Sequence, residues 1–164
     1  MVPLTCLALA EPFLMTLPLS QPVPNGTPVI PMRRERLRFA EFNFTRTPSG
    51  QCSAEVALEW DGVLYVGKSG GQSSPLGDLR IAAEAALRAL ADFAKDGMHF
   101  ELIGVKHIRA FDANLLIASV AVREAGQLSR LAGCYLAETD TKRGAAMAVL
   151  NATNRVLGNY IAMR

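Results

Sequence analysis

Ala54-Glu55-Val56-Ala57-Leu58-Glu59-Trp60-Asp61-Gly62-Val63-Leu64 returns in altered form 64 residues later as Ala118-Ser119-Val120-Ala121-Val122-Arg123-Glu124-Ala125-Gly126-Gln127-Leu128. One residue is then dropped. At an offset of 63, Arg80, Ala82, Ala83, Ala85, Leu87 and Ala89 meet Arg143, Ala145, Ala146, Ala148, Leu150 and Ala152. A duplication of this kind supplies a topology before any motif is found. Its two copies span residues 36–98 and 99–161.

Each copy reads as strand, strand, strand, helix. In 52–60, Cys52, Ala54, Val56, Leu58 and Trp60 alternate with Ser53, Glu55 and Glu59, the period of a half-buried strand. Asp61-Gly62 is a hairpin turn, and Val63–Lys68 is the returning strand. Residues 36–46 supply the first strand. The stretch 69–74 reads as a loop, ahead of a helix capped by Ser74 with Pro75 in its first turn. The helix stripe is Leu76, Leu79, Ala83, Leu87, Leu90 and Ala94, opposite Arg80, Glu84, Arg88 and Asp92. The second copy offers strands over 100–111, 114–124 and 128–137, then a helix from about residue 140. The predicted class is α+β: two pseudo-symmetric βββα repeats, an antiparallel sheet with two helices on one face.

Composition fits one domain over residues 33–164. Half of the residues are hydrophobic and the net charge is +2, too small to point to nucleic acid. Residues 1–32 hold seven prolines of the nine, which suits a disordered leader or an upstream extension of a gene starting at Met32. Proline and Glu11 interrupt its apolar runs, so neither a secretory signal nor a membrane anchor is expected. Cys6, Cys52 and Cys134 lack ligand spacing and read as buried free thiols of a cytoplasmic protein.

The middle strand of the second copy is apolar on both faces: Leu116, Ala118, Val120 and Val122 on one, Leu115, Ile117 and Ala121 on the other. Such a strand is covered on both sides. Helices cover one side, and a second copy of the chain is the simplest cover for the other. The last helix also lacks charge. Asn151, Asn154, Arg155 and Asn159 lie opposite its apolar stripe and form a candidate interface.

The order and duplication resemble the regulatory domain of 2-isopropylmalate synthase and its citramalate synthase relative. The resemblance covers residues 36–161. It rests on the Val56–Gly62 hairpin, the small-residue stretch Gly70-Gly71-Gln72-Ser73-Ser74-Pro75, the alanine-rich helix after it, Phe100-Glu101-Leu102 and the turn at Gly126. It implies two βββα units, a homodimer and an amino-acid ligand near the loop-to-helix junctions. The family's Gly-Asn-Gly-Pro loop is replaced here by a longer, more polar stretch. The catalytic barrel of those synthases has no counterpart in these residues, and the only histidines, His99 and His107, form no HxH pair. Synthase chemistry is therefore not implied.

The candidate ligand residues are Gly70, Gly71, Ser73 and Ser74 at the first helix start, and Thr139, Asp140 and Thr141 at the second. Helix N-termini present free N–H groups to a carboxylate. No catalytic residue, metal ligand or cofactor site is expected. The functional expectation is a non-catalytic regulatory module that senses a small carboxylate, such as a branched-chain amino acid. The alternative is a purely structural dimerisation domain without ligand, with room for an unidentified protein partner. A third reading, as a double-stranded-RNA-binding-like protein, rests on Lys142-Arg143 and the helix, three-strand, helix order of 75–161.

Overall fold

In the computed structural model of the chain, the described residues are 36–110 and 112–163, without the side chain of Asp96. The expectations for residues 1–32 and Cys6 lie outside them. The element order is β1 (Arg38–Arg46), β2 (Gln51–Trp60), β3 (Val63–Gln72), α1 (Pro75–Ala94), β4 (Met98–Ala110), β5 (Ala113–Glu124), β6 (Gln127–Ala137) and α2 (Thr141–Ala162), with a 3-10 turn at Lys95–Gly97. The two βββα units are present. Hydrogen bonding divides their strands into two antiparallel three-stranded sheets, β1-β2-β3 and β4-β5-β6, in place of one sheet. Among the described residues no helix is long and apolar enough to cross a membrane.

Structural detail reinforces the duplication. Both β2-β3 and β5-β6 turn through two residues of positive φ: Asp61 and Gly62 at 51° and 73°, Ala125 and Gly126 at 46° and 82°. Such pairs fit the right-handed twist of the flanking strands. The register of β1 on β2 slips between Phe39 and Glu41, and that of β4 on β5 slips between Leu102 and Gly104. These β-bulges stand at matching places in the two units.

Each helix is seated on a glycine of its own third strand. A Cβ on Gly67 would collide with the Ala85 carbonyl and Ala89 amide of α1; one on Gly133 would collide with the Ala148 carbonyl and Ala152 amide of α2. The same helix positions seal a strand edge. Arg88 donates to the Lys68 carbonyl, and Asn151 donates to the Cys134 carbonyl at 2.8 Å. Structural equivalence thus pairs Gly67 with Gly133, two residues beyond the match made by the hairpin turns. The β5-β6 hairpin is longer than β2-β3 by two residues on each strand.

The helices run side by side in one direction. At their C-terminal ends, the Tyr160 hydroxyl donates to the Ala94 carbonyl at 3.1 Å, and Phe93 meets the rings of Trp60, Tyr65 and Tyr160 edge-on. At their N-terminal ends, both touch the end of β1: Arg46 pairs with Asp78 of α1, and Lys142 of α2 lies over the Phe44 ring. Helix α1 is buried on most sides, from Leu79 through Ala94, because β2, β3, β4 and α2 surround it. Leu76, expected in its apolar stripe, is 60% exposed because it stands in the first turn, before the helix meets the sheet.

Candidate functional site

The parallel helices bring the two predicted half-sites to one end of the domain, beside residues 42–46 of β1. Their local structures differ. Gly70 and Gly71, read as loop, belong to β3 and pair with Ser53 and Cys52. The strand extends this far because β2 begins at Gln51 and supplies its partners. A Cβ on Gly70 would press on the Cys52 carbonyl at 3.1 Å, and one on Gly71 on Ile81 at 3.3 Å, so both glycines serve packing.

Ser73 and Ser74 are likewise committed within the fold. The Ser74 hydroxyl accepts from the Gly77 amide at 3.0 Å and caps α1. Asp78, which local sequence pattern does not single out, is 3% exposed and gathers four donors. Arg46 pairs with one of its oxygens. The other accepts from the Ser73 hydroxyl at 3.1 Å, the Ser74 amide at 3.3 Å and the Cys52 thiol at 3.4 Å. Burial alone would raise the Asp78 pKa. The hydrogen bonds from Arg46, Cys52 and Ser73, with the guanidinium charge, outweigh it and hold the carboxyl below its ordinary value. Burial and the adjacent carboxylate push the Cys52 thiol up. An acidic residue in the first turn of a helix was the available signal, since it meets the positive dipole end.

The start of α2 is open. Asp140 caps it, accepting from the Lys142 and Arg143 amides at 3.1 and 3.0 Å. Thr139 is exposed and Thr141 half-buried. A concavity of about 240 Å³ is lined by Tyr135, Leu136, Glu138, Thr139, Asp140 and Arg143, among others. A shallower one of about 590 Å³ lies across Phe42, Asn43, Phe44, Thr139, Asp140 and Lys142. Lys142 sits 5.1 Å from the centroid of Phe44 at this end, and Arg143, which also borders the first concavity, lies 5.4 Å from that of Phe39 at the start of β1. With the Lys142 and Arg143 amides taken up by Asp140, this corner offers two cations, the positive end of the helix dipole and apolar walls, a combination suited to a small anion with an apolar part.

The candidate interface residues Asn151, Asn154, Arg155 and Asn159 are exposed, yet Asn151 is engaged with β6. Asn151 and Asn154 also border a groove of about 240 Å³ between α2 and the start of β1, with Leu37, Phe39, Met147 and Ile161. Cys134, expected buried, is exposed, because its side chain alternates to the face of β6 opposite Gly133. His99 and His107 fall on opposite faces of β4, because the bulge between them adds one residue. His107 is held to Asn114 at 2.8 Å. No protein-family model matches this sequence, and no curated protein matches it.

Proposed function

We propose that this protein is a non-catalytic, homodimeric module that senses a small carboxylate, in the manner of the amino-acid-binding regulatory domains it resembles. The observation that carries the proposal is the convergence of two helix starts at one end, of which the second is open and flanked by Lys142 and Arg143. The ligand carboxylate would meet the α2 N-terminus and these cations. Its apolar part would lie against Phe42, Phe44 or Leu136. Such a ligand shifts the protein only by binding one state better than another.

Thermal melting of the full chain with a panel of amino acids, 2-oxo acids and nucleotides tests this. A ligand at 100 times its dissociation constant adds about 2.7 kcal/mol, a rise of several degrees. A selective rise with a branched-chain amino acid, abolished by Lys142→Ala with Arg143→Ala, is the expected result. A flat panel sinks the sensing role. The purely structural dimer would then lead, favoured by the exposed apolar residues on the second sheet, Ile103, Ile108 and Leu136.

A further inference from the structure

The two sheets turn the same rows of positions outward and fill them with different chemistry. The register of the first sheet aligns Thr45-Ser53-Gly70, Asn43-Glu55-Lys68, Glu41-Ala57-Val66 and Arg38-Glu59-Leu64 across its three strands. The equivalent rows of the second sheet are Ile108-Leu115-Leu136, Lys106-Ile117-Cys134, Gly104-Ser119-Ala132 and Glu101-Ala121-Arg130. On the first sheet three polar pairs cross the outer face, Thr45 with Ser53 at 2.7 Å, Lys68 with Glu55 at 2.9 Å and Arg38 with Glu59 at 3.3 Å, while Val66 and Leu64 stay 40% and 59% exposed on β3. The second sheet lacks all three pairs at the equivalent positions. Ile108 is 44% exposed and Leu136 51%, and the bulge adds Ile103 at 47%. Both helices pack on the opposite, Gly133-bearing face.

We propose that the outer face of the β4-β5-β6 sheet is the surface through which two copies of this chain associate, with the two-fold axis running along β5. This rests on the homodimer reading above and assigns it a face and an orientation. The charges select a second copy as the occupant. Glu101 on β4 is the acid of these four rows, and Arg130 on β6 shares its row. Ala121 separates them within one chain. A two-fold along β5 lays β4 of each copy over β6 of the other. Glu101 then meets Arg130 of its partner, twice.

The same operation stacks Leu115 on Leu115 and Ile117 on Ile117, and sets Ile108 against Leu136. Apolar side chains meet apolar ones throughout that end. The small row Gly104-Ser119-Ala132 lets the sheets approach. Lys106 passes over Cys134, which leaves room for its methylene stem while the ammonium reaches the rim. The same operation sets Arg123 opposite its own copy, one row beyond Glu101 and Arg130 at the end of β5, where its long stem carries the exposed guanidinium past the sheet into water.

Sedimentation velocity of the full chain over a range of concentrations tests the assignment. Ile117→Lys is expected to raise the dimer dissociation constant about 100-fold or more, because it buries an unpaired charge. Circular dichroism should be unchanged, because the side chain is on the outer face. Glu101→Arg and Arg130→Glu should each weaken the dimer, and the double variant should restore it. The matched outer-face substitution Val66→Lys on the first sheet should leave it intact. A dimer that survives Ile117→Lys overturns the face while keeping the homodimer reading. Failure of the double variant to recover overturns the orientation. A wild-type chain that stays monomeric throughout overturns both the face and the homodimer reading.

Discussion

The two helix starts are built at equivalent places and have opposite characters. In the first unit Arg46, Cys52, Ser73 and the Ser74 amide converge on a buried carboxylate, Asp78. In the second unit the corresponding positions hold Arg109, Asn114 and Thr141, and the end stays open to solvent beside Lys142 and Arg143. One copy of a duplicated fold spends its polar groups on holding the helix down. The other keeps them at the surface. A duplication leaves one copy able to carry stability while the other is free to keep its polar groups exposed.

The largest expected effect tests what the units share. Gly67→Ala and Gly133→Ala each place a methyl group inside the backbone of a seated helix. Each should cost about 3 kcal/mol or more, as overpacking of a core does. Gly104→Ala, where a Cβ meets nothing within 4 Å, should be close to neutral. Urea melts of the three variants check this. Unequal losses at Gly67 and Gly133 would break the equivalence of the seats.

The second test probes where the helix starts differ. Asp78→Ala strips a common acceptor from several donors and should cost about 2 kcal/mol. That figure is held down because the Arg46 side chain is 55% exposed and water screens its charge. Thr141→Ala should cost well under 1 kcal/mol. The pH dependence follows from the lowered Asp78 pKa. Its stabilisation is whole above the ordinary carboxylate value near pH 4. It is lost as the pH falls through the lower folded value. The raised Cys52 pKa acts at the other end: its contribution is whole below the ordinary thiol value and disappears as the pH rises through the folded one. Stability measured against pH should therefore show an acid limb that Asp78→Asn flattens. An unaltered limb would remove Asp78 from the account.

The smallest effect concerns the sealed strand edges. Arg88→Ala and Asn151→Ala should each lose about 1 kcal/mol, the net worth of one hydrogen bond. Similar losses in urea melts would show that a cation and an amide do the same work in the two units. A loss at Arg88 alone would leave Asn151 to other contacts.

Much of the architecture was legible because it depends on local pattern. Alternation in Cys52–Trp60, the turns at Gly62 and Gly126, and the Ser74 cap follow from side-chain period and backbone preference. The apolar outer side of β5 was also plain, since Leu115, Ile117 and Ala121 alternate with an equally apolar inner set. The true offset between the units was not. Matching the hairpin turns slides the strands by two residues, and a slip of two leaves every side chain on its own face. Pattern cannot detect an error that preserves the pattern; only the collision of Gly67 and Gly133 with their helices reveals it.

Asp78 was hidden for a related reason. Its donors come from positions 46, 52, 73 and 74, and no local window contains them all. The sequence by itself determined two βββα units, the cap of the first helix, their turns and a strand with two apolar faces, because each of these is set by residues close in the chain. The tertiary structure decided that the strands form two sheets, that the helices run in parallel with their starts together, and that one start is closed while the other is open. Those outcomes depend on which distant residues pack against each other, and sequence separation carries no record of that.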